Sequence, residues 1–432
     1  MTAAITLNAF RRGALMLGCA LLFCHFTSPA RAEPGSAMAG VVAAVRPAES
    51  TDEHQQPKRW FRYNSSGRTL GSKDGWGSAK VNLRTQLRFT SPFESAPRKE
   101  SHLNQPGESH VGFRRARFKM EGHIAAPWIE YKYEHDLTGG NLLDLRFDVG
   151  PEWMKVRFGQ WKADYSRERM DSSGKQQFVE RSIVNREFTI DRQKGIELTG
   201  RFAKGSAADS QYFVGVFTGQ GRGVFRDRRV PANAADGSPM WLARYQWNAL
   251  GGGVSLSQSD LERRGNPRLS LAVATSGNRS SYTRFSSSGG GQADGFEAGA
   301  PGQYSVRQYL AEVAFKQQGF SLQQEFHWKR AADNVNSREI NLRGSYIQAG
   351  YFFNELYSKI PSQLELAGRY AFVDPRTGQP NDLIHELGVV ANWFLRGHAD
   401  KISVDVSRYA LVVGQNAPRS RVGVRVQWDA TF

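Results

Sequence analysis

The run Lys80-Val81-Asn82-Leu83-Arg84-Thr85-Gln86-Leu87-Arg88-Phe89 decides the fold class. One parity carries Val81, Leu83, Thr85, Leu87 and Phe89, and the other carries Lys80, Asn82, Arg84, Gln86 and Arg88. Successive side chains of a strand point to opposite faces, so this segment reads as a strand with one apolar and one strongly polar face. The same period extends along the chain. Ala116, Phe118, Met120 and Ile124 oppose Arg115, Arg117, Lys119, Glu121 and His123. Ile129, Tyr131 and Tyr133 oppose Glu130, Lys132 and Glu134, and Leu143, Leu145 and Phe147 oppose Asp144, Arg146 and Asp148. Ile402, Val404 and Val406 oppose Lys401, Ser403 and Asp405. A helical period is never sustained, so the chain reads as all-β.

Strands of this kind suit a soluble sheet or a membrane barrel. The mean hydropathy of −0.52 does not separate them, because only every second residue of a barrel strand meets lipid. Past the N-terminal segment no run of about 18 apolar residues exists, which excludes a transmembrane helix. Three features favour a barrel. The apolar parity is rich in Tyr, Phe and Trp near strand ends, as interfacial girdles are. Short turns (Ala125-Ala126-Pro127, Gly150-Pro151) alternate with long polar loops at residues 160–193 and 276–304. The last segment puts Val422, Val424, Val426, Trp428, Ala430 and Phe432 on one face and ends on an aromatic residue. The count gives sixteen clear segments and a short seventeenth around Val254 to Gln258, after Gly251-Gly252-Gly253. Single-chain bacterial barrels have an even number. The expectation is therefore a transmembrane antiparallel β-barrel of about 16 strands, wide enough for a water channel.

The beginning of the chain reads as an export signal. Arg11-Arg12 is a basic n-region, Gly13 to Phe26 is too short to span a bilayer, and Ala30-Arg31-Ala32 fits the small-x-small cleavage rule. The expected organisation is a signal peptide over 1–32, a flexible leader over 33–78 and the barrel over 79–432. Both cysteines, Cys19 and Cys24, would leave with the signal, so no disulfide or thiol chemistry is expected. The formal charge of +16 would fall by three, with Arg11, Arg12 and Arg31. So basic a chain suits nucleic acid, an anionic surface or an anionic solute, and export argues against nucleic acid.

A family resemblance rests on residues in order. Phe113-Arg114-Arg115-Ala116, then Trp128 followed by Tyr131 and Asp136, resembles the second and third strands of the phosphate-selective porin O and P family. So does Phe158-Gly159-Gln160 leading into Asp171-Ser172-Ser173, Glu180-Arg181 and Gly195-Ile196, with Asn392-Trp393 and the last strand continuing the match over most of residues 80–432. The resemblance implies a sixteen-stranded homotrimeric porin of a Gram-negative-type outer membrane. It further implies that the loop after the fifth strand folds into the barrel as a constriction. Passive diffusion of small anions, phosphate or related oxyanions, is the implied activity.

Residue by residue, the family's pore-lining charges fall on Arg84 in the first strand, Arg114 and Arg115 in the second and Asp144 in the fourth. Its paired loop serines fall on Ser172 and Ser173. A lysine follows those serines in the family pattern; here Gly174 stands there and Lys175 comes one later, while Lys162 replaces an aromatic residue early in the loop. These departures put phosphate's particular fit, though not anion passage, in question. Arg88 and Arg117 share the inward parity and complete the expected pore lining with Lys162 and Lys175. Arg114 alone breaks that parity, so a subunit interface or the headgroup level stays open for it. Arg115, Arg117 and Lys119 are also read as partners of Glu121 and Glu130 in a cross-strand lattice. Two further classes stay open: a general-diffusion pore, and a structural or adhesin barrel whose loops bind a partner. An enzyme is not expected. The histidines (His54, His102, His110, His123, His135, His327, His385, His398) are scattered, and no catalytic motif, metal-ligand spacing or phosphate-cradling glycine loop appears; no cofactor or metal is implied. Outer-membrane lipid is the one other expected partner.

Overall fold

A computed structural model of the protein describes residues 61–64, 67–71, 76–97, 99–104, 106–219, 221–222, 239–285, 292–380, 382–412 and 419–432. The expected signal peptide and most of the leader lie outside them. Two short strands, β1 (Phe61–Asn64) and β2 (Gly67–Gly71), form a hairpin. The first half of the barrel is β3 (Gly77–Ser91), β4 (His110–Ile124), β5 (Ala126–Asp136), β6 (Asn141–Val149), β7 (Lys155–Lys162), β8 (Arg192–Phe202), β9 (Ser210–Phe217) and β10 (Met240–Leu250). The second half is β11 (Arg268–Ser280), β12 (Tyr304–Gln317), β13 (Phe320–Asp333), β14 (Arg338–Tyr351), β15 (Leu364–Asp374), β16 (Ile384–Phe394), β17 (Asp400–Leu411) and β18 (Arg419–Thr431). Each pairs antiparallel with the next, and β18 returns to β3 from Val424↔Ser91 to Thr431↔Arg84. Sixteen strands, β3 to β18, thus close an antiparallel barrel.

Two boundaries differ from the sequence reading. β3 begins at Gly77, and residues 61–64 and 67–71 of the expected leader are paired strand. The physical reason is an open edge. β18 stops at Thr431 opposite Arg84, which leaves the start of β3 without a partner, and β2 supplies one from Arg68↔Val81 to Gly71↔Ser78. The short seventeenth segment, Val254 to Gln258, is not a strand; it belongs to an irregular stretch between β10 and β11.

The faces follow the period. Leu83 and Leu87 are 37% exposed while Arg84 and Arg88 are only 4% exposed, the inverse of a soluble sheet. Apolar side chains look outward to lipid, and polar ones look into a lumen filled by protein. Most long loops gather at one end of the barrel and most short turns at the other, but the long β10–β11 connection (251–267) lies at the short-turn end. The longest described connection between neighbouring strands, the β7–β8 loop (163–191), turns into the lumen as expected. Its first short helix, α1 (Arg167–Met170), is capped by Ser166 and its second, α2 (Ile183–Phe188), by Ser182.

The lumen face is not uniformly polar. On β10 to β15, inward residues near the long-loop end are apolar: Met240, Leu242, Val306, Leu310, Ile340, Leu342 and Val373 join one buried cluster. Ile183, Val184 and Phe188 of α2 pack into it. Leu143, expected on the outer face, is buried instead, because a register shift between Glu134 and His135 breaks the alternation of β6 beside it.

Candidate functional site

Wall carboxylates hold the loop. The first-turn N–H groups of a helix have no partner within it and carry partial positive charge. Arg167 N donates to Glu312 Oε2 (3.0 Å), Glu168 N to Glu325 Oε1 (2.7 Å) and Ile183 N to Glu386 Oε2 (2.9 Å). Each of these acids has its own support. Arg244 donates both Nη atoms to Glu312 (2.9 and 2.8 Å), His327 Nε2 lies 2.9 Å from Glu325, and Arg369 Nε donates to Glu386 (3.0 Å). Removing one partner of such a buried pair costs about 3–5 kcal/mol, so the loop is fastened to the β12–β16 wall.

The opposite side of the loop is tied to β3. Arg84 donates to Ser173 Oγ (2.6 Å) and Ser172 Oγ (3.2 Å), and Gln86 donates to the Ser173 carbonyl (3.1 Å). Arg88 reaches Glu180 Oε1 (2.5 Å) and the Val179 carbonyl (3.0 Å). Arg84 thus meets Ser172 and Ser173, and Arg88 meets Glu180; the two arginines, expected to line the pore, are buried tethers.

A second segment enters from the short-turn end. Gly251, Gly252 and Gly253 all have positive φ, which turns the chain after β10 sharply inward. Val254 O and Ser255 O accept from Arg167, Gln258 N donates to Lys175 O (3.0 Å), and Gln177 N donates to Gln258 Oε1 (2.8 Å). Lys316 Nζ donates to Ser259 O (2.8 Å). The loop therefore rests on the stretch 254–260.

What stays open lies beside β4 to β8. A cavity of about 340 Å³ is lined by Arg114, Arg115 and Arg117 of β4, Lys162 of β7, Arg169 and Arg181 of the loop, Arg192 of β8 and Arg222. Its carboxylates are Asp136 and Asp191, and Ser173, Thr138 and Gly139 complete it. Eight cations thus face two acids. Glu180, 23% exposed, touches Arg114 (3.4 Å) and Arg115 (3.7 Å) from behind. Burial raises the Glu180 carboxyl, yet Arg88, Arg115 and Arg114 together hold it well below the usual range. Burial, with Arg181 and Arg192 close by, lowers Arg169 well below an ordinary guanidinium. Such crowding of like charge favours a counter-anion.

Arg114 reaches this basin through a bulge. Gln86 pairs with Arg115 and Leu87 pairs with Phe113, so Arg114 is the extra residue. Arg114 and Arg115 therefore both line the lumen, while Phe113 is exposed to lipid. The parity break is resolved by backbone geometry. Arg117 bonds Glu134 (2.9 Å), and Lys162 Nζ donates to the Asp171 carbonyl (2.7 Å). The lattice acid for Arg117 and Lys119 is thus Glu134, not Glu121 or Glu130.

Two expected residues sit elsewhere. Asp144 is buried in the wall between Arg192 (2.6 Å) and Lys132 (2.8 Å). The Lys175 side chain is exposed, makes no hydrogen bond or ion pair among the described residues, and does not line the basin. The sequence reading missed Arg169, Arg181, Arg192 and Arg222. Parity places Arg192 with outward Ile196 and Leu198, and loop residues have no period to read. Among the described residues no cluster of three or more His, Cys, Asp or Glu side chains is arranged to hold a metal.

The model of the family phosphate-selective porin O and P matches residues 84–410. No curated protein sequence matches. Among solved structures, the chain is similar to an anion-selective porin from Comamonas acidovorans, with TM-score 0.52 and 9% identity over 82% of this chain and 100% of that one. It is similar to the outer membrane channel DcaP of Acinetobacter baumannii, with TM-score 0.52 and 11% identity over 85% and 100%. OprB of Pseudomonas putida gives TM-score 0.50 and 9% identity over 82% and 94%. At these identities the likeness shows the fold.

Proposed function

The chain belongs to the phosphate-selective porin O and P family of outer-membrane channels, and on that premise we propose that it passes small anions, phosphate and related oxyanions, through the arginine basin. Membership makes it a channel rather than an enzyme. The observation that carries the anion reading is the basin itself, eight cations to two carboxylates beside the constriction loop. A unit charge about 7 Å away is worth roughly 0.6 kcal/mol in bulk water and about 2.4 kcal/mol at an effective dielectric of 20. Several such charges offset partial dehydration of an oxyanion, and arginine offers it a bidentate fork. Passage also needs every site to release the ion. Glu180 draws on Arg114 and Arg115 and Glu134 on Arg117 and Arg192, which keeps these four shared rather than committed to the ion.

The open path supports the same reading. Along β4 to β7 water reaches the cations of the inward pairs Lys132–Asp144 and Arg146–Asp148, with Lys132 and Arg146 about a quarter exposed while both acids are buried. The reading includes a homotrimer, the assembly that the family resemblance implies, and export with cleavage before Glu33. Arg114→Glu tests the central claim, since Arg114 is the most exposed of the three β4 arginines and its closest acid is 3.4 Å away. Reversal potential in planar bilayers should show the anion-to-cation permeability ratio falling, more at low salt where screening is weak. Arg376→Glu, on the external β15–β16 loop, should leave it unchanged. An unaltered ratio in Arg114→Glu makes the pore a general-diffusion channel.

A further inference from the structure

A barrel's lipid face is expected to be apolar, so charged side chains on it demand a reason. The outward column of β12 reads Arg307, Tyr309, Ala311, Val313, Phe315. Arg307 is exposed and stands directly opposite Arg330 of β13, which is also exposed and on the outward parity. One step toward the short-turn end, Tyr309 pairs with Trp328, their ring centroids 5.3 Å apart. Trp328 in turn pairs with the exposed Arg343 of β14.

The level of this row is set by the aromatics. From Tyr309 to Phe315 is about 20 Å along the strand at roughly 3.3 Å per residue, or about 15 Å of height at a strand tilt of about 40°. Arg307 and Arg330 lie beyond the Tyr309–Trp328 aromatic pair, on the side of the long loops. That side faces the outer leaflet, whose lipid carries phosphorylated glucosamine.

The charge is incompletely met by protein. Arg330 contacts Glu339 (2.5 Å) and Arg343 contacts Asp374 (2.9 Å). The Arg307 side chain makes no hydrogen bond or ion pair among the described residues. Like charges directly opposite on a sheet repel, and an anion between them removes the repulsion. On the other flank Arg307 pairs with Gly277, across which the Trp241 indole lies. A β-carbon on Gly277 would fall 2.9 Å from Trp241 Cζ2. The row therefore offers two guanidiniums beside an indole, a surface for a sugar phosphate.

We propose that the outer face of β10 to β14 at the long-loop end, centred on Arg307 and Arg330, binds the phosphorylated glucosamine headgroup of the outer-leaflet glycolipid. The site is independent of the lumen and of the ion that crosses it.

Native mass spectrometry of the detergent-solubilised full barrel, titrated with bis-phosphorylated lipid A, tests this. The wild type should retain the lipid, and Arg307→Ala combined with Arg330→Ala should weaken retention at least about tenfold, the scale of a lost bidentate phosphate contact. Arg408→Ala, outward on β17, should behave as wild type. Dephosphorylated lipid A should bind the wild type no better than the double variant. Equal retention by wild type and double variant overturns the proposal, as does phosphatidylglycerol binding the wild type as tightly as lipid A. If the double variant does not assemble, the phosphorylated and dephosphorylated lipids compared on the wild type decide alone: equal binding refutes the site.

Discussion

Gly174 lies flat against Arg84, so closely that a β-carbon on it would fall 2.3 Å from Arg84 Nη1 and 3.1 Å from Cδ. The guanidinium passes over this glycine to reach Ser172 and Ser173. The lack of a side chain at Gly174 is thus what lets β3 tie down the constriction loop. Gly174→Ala should push the guanidinium off one or both serines, at about 1.5–3 kcal/mol for each hydrogen bond to a charged group. Single-channel records should become noisier while heat-modifiable gel mobility, the mark of an assembled barrel, is unchanged. Quiet records from Gly174→Ala would mean that the tether does not restrain the loop.

The bulge at Arg114 leads to a deletion experiment. Removing Arg114 leaves Gln86 opposite Arg115 and Leu87 opposite Phe113 in ordinary alternation. The deletion should therefore assemble and lose one basin cation. Deleting Arg117, where the ladder is regular, slips the register by one and turns lipid-facing side chains inward. Gel mobility should show an assembled barrel for the first and not for the second. Equal outcomes would remove the bulge as the cause of Arg114's position.

Replacing residues 252–265 by a two-residue turn removes the segment that supports the loop from the short-turn end. Conductance should rise severalfold, because the stretch 254–260 no longer fills that side of the lumen. Anion preference should persist, since none of the basin's lining residues lies in the deleted segment. Unchanged conductance would show that this side of the lumen carries no current in either form.

Selectivity should depend on pH near neutrality. Burial pushes the carboxyls of Glu168 and Asp171, both in the constriction loop, up to about 7. A raised carboxyl is neutral below that value and anionic above it. Lowering the pH from 8 to 6 thus removes negative charge from the loop, and the anion-to-cation ratio should rise. The folded loop also holds protons that free carboxyls, near 4, have released, so its stability falls as pH rises through 7. Asp171→Asn should flatten the selectivity change; a wild-type ratio constant over this window would contradict the assignment.

The period of two, the two faces and the sixteen strands of this barrel were legible in the sequence. The reason is that alternation is local: Leu83 and Arg84 must point opposite ways whatever else the chain does. The length of residues 160–193 suggested only a long loop, and its place inside the barrel came from the family resemblance carried by Asp171-Ser172-Ser173. Tertiary structure alone decided which inward cations meet the solute. Arg84 and Arg88 share the parity of Arg115 and Arg117, yet the first pair is covered by loop residues more than eighty positions away in the chain. Nothing in the alternation marks Glu312, Glu325 and Glu386 as caps for helices that lie in a distant loop. Nor does it mark the bulge that brings Arg114 inside, because a bulge is defined by the partner strand. Spacing along one strand determines direction; what each side chain meets depends on where the rest of the chain packs.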